Sequence, residues 1–199
     1  MLEMPLKETP FRVDIGLDAL LPRIVELCRQ TSEQSLHMLA AESLHSMLLV
    51  MIGGGASRLR GAEGTEEAKA MTALYTKTLP VACRLAVSRN TVVAGLFDKL
   101  MMQIVRWFSG PDHVTADEAS ALAGVLSDTL CEPNDSALRE FSARAIAESV
   151  RWAIKQTSPS EMGRNPIGVE RTLQRLFTLA THPSSHMRVG AATGLNRIY

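Results

Sequence analysis

Apolar residues recur every three or four positions along most of this chain, with the clearest run from Ser136 to Gln156. At about 100° per residue, Leu138, Phe141, Ser142, Ala145, Ile146, Ser149, Val150, Trp152 and Ala153 share one broad arc of a helix. Glu140, Arg144, Glu148, Arg151 and Lys155 share the opposite arc. Pro133-Asn134-Asp135 reads as the turn before this helix, and Asp135 or Ser136 suits its N-cap.

The same period predicts seven more helices. Leu17–Arg29 is short, with Pro22 tolerated near its start. Ser32–Ile52 is amphipathic, and Gly53-Gly54-Gly55 is expected to end it, because glycine suits the left-handed position after a helix. Gly53 to Glu67 then reads as the longest loop, flexible over about 53–66. A third helix runs from Glu66 or Ala70 to Val87, bent near Pro80, and Asn90 or Thr91 caps a fourth that reaches Phe108. Thr115-x-x-Glu118 has capping-box spacing and opens a fifth helix that extends to Leu130. After the sixth, Gln156 to Pro166 is a Ser/Pro/Gly loop with one turn capped by Ser158; Ile167–Thr181 and Ser185–Tyr199 complete the set. Met1 to Asp14, with Pro5 and Pro10, reads as a lead-in segment.

The second member of each successive pair carries a common template. Leu138-Arg139-x-x-Ser142-x-x-Ala145-Ile146 recurs as Met187-Arg188-x-x-Ala191-x-x-Gly194-Leu195 and as Leu36-His37-x-x-Ala40-x-x-Ser43-Leu44, and weakly as Val92-Val93-x-x-Leu96-x-x-Lys99-Leu100. The starts at 36, 92, 138 and 187 are 56, 46 and 49 residues apart, close to the roughly 40–47 residues of HEAT and armadillo units. A lone pair would leave an apolar face wet, so neighbours stack. The fold class expected is all-α: an α-α superhelix, an armadillo/HEAT-like solenoid of about four helix pairs. The units fall at about 14–52, 66–109, 115–156 and 166–199 of one segment spanning 1–199; an ordinary helical bundle is the rival arrangement.

Composition narrows the picture. The 199 residues are 46% hydrophobic but only 5% aromatic, which favours helix packing over a β-sandwich. Basic and acidic residues balance at 21 each, so no overall field draws the chain to nucleic acid or membrane. The cysteines Cys28, Cys83 and Cys131 are odd in number and far apart, as expected of buried reduced thiols. No apolar run reaches the roughly 18 residues of a membrane span, so no membrane partner is expected. Helical pattern continues to Tyr199 without a closing cap, the pattern of a fragment cut from a longer chain.

Candidate chemistry is sparse. Gly53-Gly54-Gly55 lacks the Gly-Lys-Ser/Thr of a phosphate loop, and Pro183 separates His182 from His186 with no cysteine or acid near. His37 and His45 share a helical face without a carboxylate beside them; Trp107 and Trp152 sit at core spacing; Arg139 and Arg188 read as intramolecular hydrogen-bonding residues. Catalytic, metal and cofactor residues are therefore assigned to none. Charge is segregated, however. Six acids and no Lys or Arg lie between Asp112 and Asp135, whereas from Arg139 onward nine bases face four acids, a net of +5. This reads as a solvated face with repeat-to-repeat pairing, and Arg144, Arg151 and Lys155 are the candidate contacts to DNA phosphate.

Several blocks, in order, resemble one family. They are Glu42-Ser43-Leu44-His45-Ser46-Met47, Gln103-Ile104-Val105-Arg106-Trp107-Phe108, Asp135-Ser136-x-Leu138-Arg139-x-Phe141, Trp152-x-Ile154-Lys155-Gln156, Leu179-Ala180-x-His182-Pro183, and Arg188-x-Gly190-Ala191 with Ile198-Tyr199. Together they resemble the N-terminal to middle HEAT region of the DNA-dependent protein kinase catalytic subunit family, among the phosphatidylinositol-3-kinase-related kinases. The resemblance implies a large nuclear serine/threonine kinase whose HEAT region forms a cradle. Its partners would be the Ku heterodimer and double-stranded DNA ends in non-homologous end joining, and neighbouring HEAT repeats. Catalysis would lie elsewhere, since this chain has no His-Arg-Asp or Asp-x-His catalytic loop and no Asp-Phe-Gly. Ser-Gln and Thr-Gln, the dipeptides such kinases favour, are also absent. The alternative reading is a stand-alone helical-repeat interaction module or a helical enzyme with a dispersed site.

Overall fold

The structure, a computed structural model, describes residues 2–5, 12–30, 33–58, 65–110, 114–156 and 168–199. Its helices are α1 (Leu17–Gln30), α2 (Gln34–Arg58), α3 (Glu66–Leu85), α4 (Thr91–Phe108), α5 (Ala116–Leu130), α6 (Ser136–Gln156), α7 (Val169–Ala180) and α8 (Ser185–Ile198). Side chains cap the N-termini of α3, α4, α5 and α6, whereas Ser184 before α8 makes no such bond. Thr65 Oγ1 accepts from the Ala68 N–H, and Asn90 Oδ1 accepts from those of Val92 and Val93. Thr115 and Glu118 close a reciprocal capping box that is itself buried. Asp135 Oδ1 accepts from the Leu138 N–H at 2.9 Å. Each cap satisfies a helix N–H that has no intrahelical partner, a stabilisation of about 1 kcal/mol.

Each odd-numbered helix packs on the even one that follows it. The odd helices α1, α3 and α5 also touch in succession, as do the even helices α2, α4, α6 and α8. The result is an α-α superhelix of two helical layers. Between them lies one continuous apolar core, including Leu21, Leu44, Leu48, Leu79, Phe97, Leu100, Ile104, Phe108, Leu122 and Leu138. Aromatic edges join neighbouring helices: Tyr75 of α3 meets Phe108 of α4 at 5.3 Å and 85°, and His45 of α2 meets Phe97 of α4 at 6.1 Å and 81°. Cys28, Cys83 and Cys131 are all buried free thiols, and burial pushes Cys28 to about 11 and Cys83 to about 12.

The template residues have distinct jobs. Arg139 Nη1 donates to the carbonyls of Glu132 (2.6 Å) and Pro133 (3.0 Å), and Arg188 Nη1 donates to those of His182 (2.9 Å) and Pro183 (2.6 Å). In α6 and α8 an arginine in the first turn thus satisfies carbonyls of the turn that joins the helix to the one before it, whereas α2 has His37 and α4 has Val93 at that place. The small residue three positions on admits a buried polar contact: Ser142 Oγ lies 2.8 Å from Thr129 Oγ1, tying α6 to α5. At the corresponding region of α8 the need is for no side chain at all. A Cβ on Gly190 would lie 2.5 Å from the Leu130 carbonyl oxygen of α5, and one on Gly194 would lie 3.0 Å from Leu176 Cδ2.

Four expectations from the sequence need correcting. Gly53-Gly54-Gly55 does not end the second helix, because α2 continues to Arg58. Glycine lowers helix propensity by about 1 kcal/mol per residue but does not forbid the helix, and a Cβ at Gly53 would meet nothing within 4 Å. The first six residues of the expected loop are thus helical, and residues 59–64, like the turn expected at Ser158, lie outside the described residues. The lead-in segment carries a two-stranded antiparallel sheet, β1 (Leu2–Pro5) with β2 (Arg12–Ile15), in the register Leu2↔Ile15 to Pro5↔Arg12. Proline is tolerable at the end of such a strand, where little of the ladder is disturbed. Trp107 and Trp152 are half-buried rather than interior. Finally, α2 contains a window, Gln34–Gly53, long and apolar enough by length and composition to cross a membrane. Its Ala40, Ala41, Leu44, Leu48 and Met51 are buried in the protein core, while Leu39, Leu49 and Val50 are exposed.

Candidate nucleic-acid interface

The charged arc of α6 is the seam between neighbouring second helices. Arg144 of α6 pairs with Asp98 of α4, Arg106 Nε of α4 donates to Glu148 Oε1 of α6 at 2.7 Å, and Arg197 of α8 pairs with Glu140 of α6. On α6 the three partners stand at i, i+4 and i+8, one above another on a single helical face. Ala143 and Ala147 are buried although they lie beside that arc.

Glu148 is the most enclosed member. It accepts from Arg106 Nε and, at 2.9 Å, from the Trp152 indole N–H, and Arg151 stands 3.8 Å away. Burial works to raise its pKa, but the hydrogen bonds from Arg106 and Trp152 and the charges of Arg106 and Arg151 together hold it below the ordinary 4.5. A carboxyl depressed on folding contributes stability that is present above its unfolded pKa and is lost as pH falls through the folded one. Thermal midpoints measured across acid pH should therefore drop more steeply below about 4.5 for the wild type than for Glu148→Gln.

The three residues singled out for phosphate contact lie on this face in different states. Arg144 is forked onto Asp98 and also stacks 5.6 Å from the Phe141 ring centroid. Arg151 is exposed and makes a longer contact, 3.8 Å, to Glu148. Lys155 is exposed and sits 5.4 Å from the centroid of Trp152, whose ring Arg106 also approaches at 5.6 Å. Five cations (Arg106, Arg144, Arg151, Lys155, Arg197) and three carboxylates (Asp98, Glu140, Glu148) thus share the surface, a net of +2. Sequence reasoning misses Asp98, Arg106 and Arg197. The eight-residue spacing of Asp98 and Arg106, opposite in sign to the Arg144 and Glu148 they meet, is the available signal.

The other polar clusters resolve into local structure. His182 Nδ1 accepts from the Ser184 N–H at 3.1 Å, and His186 Nδ1 lies 2.8 Å from Ser184 Oγ, so both rings shape the start of α8. Among the described residues no group of three or more His, Cys, Asp or Glu converges as metal ligands would.

Comparison with known proteins gives this arrangement a lineage. The family profile described as "DNA-dependent protein kinase catalytic subunit, CC1/2" matches residues 69–199, taking in α4, α6 and α8 with all three of their ion pairs. The chain belongs to the DNA-dependent protein kinase catalytic subunit family. It is 35% identical over 185 residues to that protein of Mus musculus, covering 93% of this chain and 4% of the mouse protein. The corresponding figures for Xenopus laevis are 34% over 197 residues, with 99% of this chain and 5% of that protein. Dictyostelium discoideum retains 30% identity over 187 residues, with 94% and 4% covered. The chain thus spans about a twentieth of the length of these catalytic-subunit relatives.

Proposed function

We propose that this chain is a non-catalytic scaffold segment of a nuclear DNA-dependent protein kinase catalytic subunit, built as four HEAT-like units within one solenoid. Its role is to help shape the cradle that engages the Ku heterodimer and DNA ends during non-homologous end joining. The observation that carries this reading is the superhelix itself, whose second helices are stitched edge to edge by Asp98–Arg144, Arg106–Glu148 and Glu140–Arg197. Such an array supplies an extended surface rather than a reaction centre.

On that surface Arg144, Arg151 and Lys155 meet phosphate rather than base edges, so their contribution is independent of sequence and dependent on salt. Arg151 and Lys155 are the cleaner pair to test, because Arg144 also holds α4 to α6. Duplex affinity measured over a salt series should weaken in Arg151→Glu/Lys155→Glu. The slope of log affinity against log salt should become shallower by about 0.9 for each phosphate that is no longer neutralised. Equal affinity and slope in both proteins would remove DNA from the reading. Capture of purified Ku by the same protein would then leave a protein-interaction scaffold.

A further inference from the structure

The three carboxylates of the second-helix seam each engage an arginine of a neighbouring second helix. We infer that Asp98, Glu140 and Glu148 act as internal phosphate stand-ins that hold the basic face of α6 in check, and that a duplex binds this face by displacing them. The inference rests on the phosphate-contact reading above and adds its control.

Geometry carries the inference first. Asp98 presents both carboxylate oxygens to Arg144, whose Nη1 and Nη2 each reach one of them. That two-pronged arrangement is also the one a guanidinium uses on a phosphate. Glu140 engages a terminal nitrogen of Arg197, and Glu148 takes Arg106 Nε on one oxygen while its other faces Arg151.

Exposure carries it second. Both partners of the Asp98–Arg144 and Glu140–Arg197 pairs keep a third to a half of their side-chain surface in water, so these pairs are weak and open to exchange. Glu148 is more enclosed and held by more donors, so it is the last of the three to yield.

Charge carries it third. While the carboxylates are seated they neutralise Arg144, Arg197 and Arg106 and repel an incoming phosphate, leaving Arg151 and Lys155 as the cations offered to a ligand. Displacement frees the arginines for phosphate at the moment of binding. The ligand and the seam between α4, α6 and α8 therefore compete for the same guanidinium groups.

The test uses the whole chain and a blunt-ended duplex of mixed sequence. Asp98→Asn leaves a side chain of the same shape but removes the charge that competes for Arg144. Duplex binding should tighten by roughly three- to tenfold at low salt, and the salt slope should steepen by about 0.9 as one more phosphate is neutralised. The gain should vanish in Asp98→Asn/Arg144→Gln. Glu140→Gln, which frees Arg197 at the other edge of α6, should give an independent gain and serves if Asp98→Asn folds poorly. The triple variant Asp98→Asn/Glu140→Gln/Glu148→Gln should bind most tightly, and its binding alone, with none by wild type, would also support the check. If both single variants bind as wild type does while Arg151→Glu/Lys155→Glu weakens binding, the check is overturned and the phosphate contacts stand. If neither wild type nor the triple variant binds duplex, both readings fall.

Discussion

Gly190→Ala should destabilise the protein by about 1–3 kcal/mol, although alanine is the better helix former. The reason is the approach of α8 to the end of α5: the added Cβ would stand 2.5 Å from the Leu130 carbonyl oxygen and 3.1 Å from its carbonyl carbon. Both are backbone atoms, so no rotamer change relieves the overlap, and α8 must shift away from α5. The contrast is Gly95→Ala in α4, where a Cβ meets nothing within 4 Å. There the usual helix-interior gain of about 0.5–1 kcal/mol should appear undiminished. Equilibrium unfolding of the two variants in parallel decides the matter. A stabilised Gly190→Ala would mean that α8 does not pack as described.

Phe97→Ala should be more damaging still, at about 3–5 kcal/mol. Phe97 is fully buried at the crossing of α4 and α2, where its ring meets the edge of His45. Truncation leaves a cavity where α4 meets α2 that the close-packed core can only partly fill. Burial holds the His45 pKa below its ordinary 6.5, and opening the site to water should return it towards that value. A histidine titration followed by NMR, beside the denaturation curve, would show both effects. A loss below about 1 kcal/mol would argue that the α2–α4 contact is loose.

Much of this fold could be read from the chain because the relevant physics is local. Thr115 and Glu118, Asn90, and Asp135 announce their helices through hydrogen bonds that span two or three residues. Arg139 and Arg188 reach back only five to seven residues to the carbonyls they satisfy. Where a feature depends on a distant neighbour, the sequence suggests pairing between repeats but does not name the partners. The ion pairs of the seam join residues 42, 46 and 57 positions apart, and no spacing rule supplies the register that brings them together. Ala143 and Ala147 fall beside the polar arc of α6, and their burial depends on neighbouring helices that the spacing does not reveal. Trp152 sits at a core position by period, yet its indole N–H needs Glu148, so the ring stays at the boundary. The three glycines at 53–55 show the converse: a residue that permits a stop does not impose one.

The two helical layers are joined by different forces, and their responses diverge when conditions change. Contacts among α1, α3 and α5 are mainly apolar, with Arg84–Glu132 at their margin, whereas α4, α6 and α8 carry three inter-helix ion pairs. Added salt screens exposed charges over a length of about 8 Å at physiological strength and leaves apolar burial intact or slightly strengthened. One face of the array therefore slackens while the other holds, much as unequal expansion bends a bimetallic strip. The contacts among α4, α6 and α8 thus respond to the ionic medium more than those among α1, α3 and α5 do.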